Sequence, residues 1–150
     1  MVRDSRTRRI LMVDDDVDDC MLVRDALCEI GSAHDLRFAN DGEELFEYLE
    51  RRGKFAGPDR APRPDLILLD LQMPRKNGRE SLKQLKSEPA WRRIPVVVLT
   101  TSTAADDVNY AYETGVNSYV TKPTTFRTLV EAVRLITTYW LELVEPPHSD

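Results

Sequence analysis

The run Asp65-Leu66-Ile67-Leu68-Leu69-Asp70-Leu71-Gln72-Met73-Pro74 decides the fold. Its centre, Leu66–Leu71, is apolar apart from one carboxylate and is the length of one strand. A strand that is apolar on both faces belongs in the middle of a parallel sheet. Val96–Thr100 reads the same way, and Ile10–Asp14, Asp35–Ala39 and Ser118–Thr121 supply three further strands. Segments of helical period separate them. This alternation predicts an α/β, doubly wound five-stranded parallel sheet with five helices on its two faces.

Punctuation supports the helices. Asp41 with Glu44, and Thr103 with Asp106, have capping-box spacing, while Gly31, Gly53 and Gly115 stand where helices should stop. Gly53–Pro64, with three of the nine prolines, reads as the one long surface loop.

Composition narrows the function class. A chain of 150 residues, 41% hydrophobic and 31% charged, has the composition of an ordinary globular domain and the length of about one. Its apolar runs are far shorter than the ~18 residues of a membrane span. Arg3, Arg6, Arg8 and Arg9 are followed by only four apolar residues before the aspartates, so no secretory core exists and a cytoplasmic location is expected. Net charge −5 argues against general nucleic-acid binding, and the Lys and Arg between Arg75 and Arg93 are interrupted by Glu80 and Glu88, as on a solvated face. Cys20 and Cys28 would be ~12 Å apart on one helix, too far for a disulfide, and read as reduced core thiols.

The chemistry gathers where the strands end. In an open parallel sheet the carboxyl ends share one edge, the ligand-binding edge. That edge should carry Asp14-Asp15, Asp70, Thr100 and Lys122. Three adjacent carboxylates repel, a hard divalent cation relieves them, and an oxygen-only donor set with room for water suits Mg²⁺. Asp70 could then attack phosphorus, with Lys122 neutralising phosphoryl oxygens and Thr100 donating a hydrogen bond. Taken singly, each residue is also an ordinary turn or strand-end residue; their conjunction on four strand ends is the signal.

Other motifs fail. Asp14, Asp16 and Asp18 imitate a calcium loop, but Asp19 stands where Gly is required and Asp25 at the twelfth position. No GxGxxG or P-loop occurs, and His34 and His148 do not form a cluster.

The sequence resembles the receiver domains of bacterial two-component response regulators. The resemblance lies in Ile10–Asp16, Asn40-Asp41-Gly42, Asp65–Pro74 with Gly78, Val98–Ser102 and Tyr119–Pro123, in family order over nearly the whole chain. It implies a flavodoxin-like strand order, 2-1-3-4-5. It implies that Asp70 is the phosphoacceptor, that Asp15, Asp70 and the Gln72 carbonyl bind Mg²⁺ directly, and that Asp14 binds it through water. Lys122 and Thr100 would contact the phosphoryl group, and the Lys122-Pro123 bond would be cis. The donor would be a sensor histidine kinase, and the receiver would catalyse its own phosphorylation and dephosphorylation. Thr100 and Tyr119 would form the switch, with output through the fourth helix, fifth strand and fifth helix, and Gln72 and Ser102 would flank the path of attacking water.

Residues 1–145 are expected to form the receiver and 146–150 a tail; the 28 residues after Lys122 leave no room for an output domain. A terminal helix is predicted over Thr124–Val144, with Leu129, Val133, Ile136, Trp140 and Leu143 in a heptad-like seam. That stripe could simply pack on the sheet. Apolar Tyr139, Trp140, Leu141, Leu143 and Val144 beyond the sheet's edge point instead to a homodimer. The extension, the Leu99–Ser102 turn and the insertion before the third strand most resemble single-domain regulators paired with bacterial phytochromes, which makes a bacteriophytochrome kinase the expected partner. A haloacid-dehalogenase-like phosphohydrolase is disfavoured by Asp18 at the position of its Thr/Val and by the lack of a cap domain. A non-phosphorylated pseudo-receiver docking module is disfavoured by the complete acidic and lysine set.

Overall fold

A computed structural model describes residues 7–73 and 77–147. Pro74, Arg3, Arg6, Arg75, His148 and the end of the expected tail lie outside the described residues. Five strands, β1 (Arg9–Val13), β2 (Asp35–Ala39), β3 (Leu66–Leu69), β4 (Val96–Thr100) and β5 (Ser118–Thr121), pair in parallel in the order β2-β1-β3-β4-β5. The helices are α1 (Val17–Glu29), α2 (Gly42–Glu50), α3 (Gly78–Ser87), α4 (Ala105–Thr114) and α5 (Phe126–Thr137). The predicted architecture and strand order are therefore observed. Two strands end earlier than predicted: β1 is shifted by one residue and ends at Val13, and β3 is two residues shorter and ends at Leu69, so Asp14 and Asp70 stand just beyond the strands, free to serve the edge.

The alternation of strand side chains divides the core. Leu11, Val13, Ile67, Leu69, Val96 and Val98 face α2, α3 and α4 through Leu45, Phe46, Leu82, Leu85 and Ala111. Their strand neighbours Ile10, Met12, Leu66, Leu68, Val97 and Leu99 face α1 and α5 through Val23, Ala26, Leu27, Leu129, Val133 and Ile136. The two central strands are buried on both sides, as their unbroken apolar sequence requires.

Local chemistry corrects several expectations. Asp41 caps α2 by accepting from the Glu44 amide, and Gly115 ends α4 at φ 106°. At α4, however, the N-cap is Ala104 with no side-chain cap bond, so Thr103 does not fill that role. The Ser102 hydroxyl accepts from the Ala104 amide instead. Of the two cysteines only Cys20 is a core thiol; Cys28 is exposed, because the buried stripe of α1 runs through Cys20, Val23, Ala26 and Leu27. The Gly53–Pro64 loop contains a 3₁₀ turn at Gly53–Phe55. It is fastened at its far end, where the Tyr48 hydroxyl donates to the Pro62 carbonyl and Arg51 Nε to that of Ala61.

The C-terminal segment departs most. The predicted helix over Thr124–Val144 is α5 followed by a π-helical turn, Thr138–Leu143, in which the Val144 amide donates to the Tyr139 carbonyl. Leu129, Val133 and Ile136 lie in the chain's own core, which removes them from the expected dimer seam. The stripe meets the sheet because its apolar partners on β1, β3 and β4 are already in place. Leu141 is also buried, Trp140 is half-buried, and Leu135, Tyr139 and Leu143 remain exposed. No helix among the described residues is long and apolar enough to cross a membrane.

Candidate functional site

The site is assembled by the ends of four strands, β1, β3, β4 and β5. Asp14 follows β1, and its Oδ1 accepts from the Asp16 amide. Asp16 in turn caps α1, accepting from the amides of Asp18 and Asp19. This turn sends Asp14 inward, where it is 1% exposed, and leaves Asp15 exposed. It also occupies Asp16 at the helix terminus. The second carboxylate of a dehalogenase-like acid–base pair is therefore spent as a cap.

Asp70 follows β3 and is held on each side. Its Oδ1 accepts from the Thr100 hydroxyl at 2.7 Å and from the Gln72 amide at 3.1 Å, and its Oδ2 lies 3.2 Å from Lys122 Nζ. Gly78 is required behind it. A Cβ there would sit 2.3 Å from the Asp70 carbonyl oxygen and the Leu71 Cα, so only glycine lets α3 begin against this turn.

Lys122 reaches the site from the end of β5, with Nζ 2.7 Å from Asp14 Oδ2, 2.7 Å from Asp19 Oδ2 and 3.2 Å from Asp70 Oδ2. It does so without the expected cis bond: no cis peptide occurs among the described residues, and the trans Lys122-Pro123 link already aims the ammonium. Burial disfavours the charged lysine, but the carboxylates of Asp14, Asp19 and Asp70 outweigh it and raise its affinity for the proton. Burial pushes the Asp14 carboxyl up to about 6, with Asp70 adding to the rise and Lys122 and the Asp16 amide opposing it.

Carboxylate oxygens of Asp14, Asp15 and Asp70 lie within 4.8 Å of one another. Asp14 Oδ2 is buried, has an ion-pair partner in Lys122 and receives no hydrogen bond. One ammonium facing this acidic group leaves negative charge to be neutralised, and the donors are all oxygen. The residues fit a hard divalent cation.

Asp19 was not legible as a site residue. Three acids at a helix start are explained by the helix dipole alone. The one available signal was its phase, since Asp19 continues the buried stripe through Val23, Ala26 and Leu27 while Asp18 does not. Tyr119 is half-buried on β5 with its hydroxyl donating to the Ser102 carbonyl at 2.8 Å. The Gln72 side chain accepts from the Thr101 hydroxyl.

The family model for the response regulator receiver domain matches residues 10–134. The chain belongs to this family. The receiver is 43% identical over 138 residues to the response regulator Rcp1 of Synechocystis sp., covering 92% of each protein. A crystal structure of the phosphorylated cyanobacterial phytochrome response regulator RcpA superposes on it with a TM-score of 0.87 at 40% identity, covering 95% of this chain and all of that one. The Mn²⁺-bound form of Rcp1 gives a TM-score of 0.83 at 42% identity over 94% and 99% of the two chains. The receiver is thus a two-component signalling protein related to phytochrome response regulators, and its acidic cluster coincides with a family whose member Rcp1 has been seen with a divalent metal.

Proposed function

We propose that the receiver accepts a phosphoryl group on Asp70 from a phosphohistidine of a sensor kinase, with Mg²⁺ as the cofactor. The observation that carries this reading is the setting of one carboxylate. Asp70 is within 3.2 Å of Lys122 and 2.7 Å of the Thr100 hydroxyl, and it shares an acidic cluster with Asp14 and Asp15. An Asp70 oxygen attacks phosphorus as the P–N bond to the kinase imidazole breaks; the electron pair leaves with the ring nitrogen, which is reprotonated by solvent. Lys122 neutralises charge on the phosphoryl oxygens, and the Thr100 hydroxyl turns from the carboxylate to a phosphoryl oxygen. Asp15, Asp70 and the Gln72 carbonyl would hold Mg²⁺ directly, with Asp14 acting through water. The ion supplies further charge neutralisation at phosphorus. Hydrolysis of the acyl phosphate returns the carboxylate and inorganic phosphate, so the receiver catalyses both halves of its own cycle.

Thr100 and Tyr119 form the switch: the hydroxyl follows the phosphoryl group, and the Tyr119 ring reports the position of the β4–α4 loop through its bond to Ser102. The kinase is a bacteriophytochrome, a reading supported by the similarity to phytochrome response regulators. We read residues 1–145 as the receiver, with output through its surface, including a homodimer contact in which Trp140 and Leu143 take part.

Incubation with Mg²⁺ and acetyl phosphate, followed by intact mass, tests the central step. Wild type should gain one phosphoryl group and Asp70→Asn none. Undiminished label on the variant would exclude Asp70, and failure of wild type with both acetyl phosphate and a phosphorylated kinase would exclude the function.

A further inference from the structure

The first turn of α4 carries an aspartate that does not do what such aspartates usually do. An acid at this place ordinarily serves the helix's own amides or its dipole. Both oxygens of Asp107 are used outside the helix. Oδ1 accepts from Arg79 Nε and Nη2 at 3.0 and 2.8 Å, and Oδ2 accepts from the Ser102 hydroxyl at 2.5 Å. Arg79 is itself fixed: its guanidinium stacks over the Tyr110 ring at 4.6 Å, and its carbonyl accepts from the Tyr110 hydroxyl.

This bridge joins two segments that touch Asp70. Arg79 follows Gly78, whose amide donates to the Leu71 carbonyl and whose Cα is pressed against the Asp70 backbone. Ser102 follows Thr100 by two residues and is held from three sides, by Asp107, by the Ala104 amide and by the Tyr119 hydroxyl at its carbonyl. Since α4 lacks a side-chain cap of its own, the Asp107–Ser102 bond, together with the Ala104 amide's bond to the same hydroxyl, ties the start of the helix to the end of β4. Hydrogen bonds from Ser102 and Arg79 hold the Asp107 carboxyl below the usual range, consistent with a permanently ionised acceptor.

We propose that Asp107 is a positioning residue for phosphoryl transfer: with Arg79 it holds Ser102, and through the β4–α4 loop it keeps the Thr100 hydroxyl directed at the Asp70 carboxylate. This rests on the phosphoacceptor reading of Asp70. Asp107 bonds to Arg79 and Ser102 and is not one of the clustered acids Asp14, Asp15 and Asp70, so it acts on the rate through Thr100 and leaves the cation site intact.

The test is a double-mutant cycle on the rate of acyl-phosphate formation from acetyl phosphate at saturating Mg²⁺, with Mg²⁺ affinity measured by calorimetry. Asp107→Ala should slow labelling about threefold to tenfold with Mg²⁺ affinity unchanged, and should have no further effect in a Thr100→Ala background. Ser102→Ala, which removes the same bond from its other end, should slow labelling similarly and be non-additive with Asp107→Ala; it also carries the test should Asp107→Ala not fold. An unchanged rate in these variants, or the same loss with and without the Thr100 hydroxyl, would overturn the proposal while leaving the phosphoacceptor reading in place. A wild type that takes no label from either acetyl phosphate or a phosphorylated kinase would overturn that reading and this one with it.

Discussion

The carboxyl edge of the sheet and the C-terminal segment present residues of equally plain character, and only the edge could be interpreted without a structure. At the edge, Asp14, Asp70, Thr100 and Lys122 come from four strands, and a parallel sheet has one place where strand ends meet. In the segment from Phe126 to Pro147, an apolar stripe fits a sheet or a second copy equally well. The structure gives Leu129, Val133 and Ile136 to the sheet and leaves Leu135, Tyr139 and Leu143 outside. Polar chemistry is placed by topology, whereas apolar surface is placed by whatever else needs covering.

The largest expected effect separates the two regions outright. Asp70→Asn should abolish acyl-phosphate formation, while Leu143→Ala should label at the wild-type rate; a slow Leu143→Ala would tie the two regions together. The C-terminal segment should then divide internally under thermal or denaturant unfolding. Ile136→Ala should cost about 2–5 kcal/mol as a core truncation, against at most about 0.5 kcal/mol for Leu143→Ala. Equal losses would mean that the exposed end is also covered.

At the edge, metal and pH should act in opposite senses. The raised Asp14 carboxyl means that the folded metal-free protein binds a proton more tightly than the unfolded chain. Its contribution to stability is therefore full below the ordinary value of 3.8 and is lost as pH rises through about 6. Asp14→Asn should remove this dependence and raise the metal-free melting temperature at neutral pH. Mg²⁺ needs the ionised carboxylates, so its stabilisation should grow over the same range, reaching about 2.7 kcal/mol at a hundredfold excess over Kd. Melting curves with and without Mg²⁺ that share one pH trend would remove Asp14 from the metal site. The smallest effect is expected at the exposed apolar end, where Leu143→Glu should shift sedimentation from two chains toward one with little change in melting temperature. A wild type that sediments as one chain at micromolar concentration would show that no dimer forms through this surface.

Strand type and the convergence of Asp14, Asp70, Thr100 and Lys122 on one edge were legible because each rests on a local rule: unbroken apolar strands are central, and strand ends bear ligands. The strand order was legible only through the resemblance to receiver domains. Boundaries shifted where a carboxylate left the ladder, as at Asp14 and Asp70. Asp19 and Asp107 were missed because an acid in a helix's first turn has a sufficient local explanation, and only the structure shows their oxygens turned to Lys122, Arg79 and Ser102. The predicted cis bond and the Thr103 cap failed for a related reason, since the trans chain already delivers Lys122 and Ser102 already serves the amide at Ala104.

By itself the sequence determined a five-stranded parallel α/β sheet with its acids, hydroxyl and lysine on one edge, because periodicity and strand-end identity are properties of neighbours along the chain. Tertiary structure alone decided which acids share Lys122, how Asp107 joins α3 to the β4–α4 loop, and how much of the terminal stripe remains for a partner. Those outcomes depend on side chains that meet only after the sheet has closed, and on a competition for apolar surface that no single segment can settle.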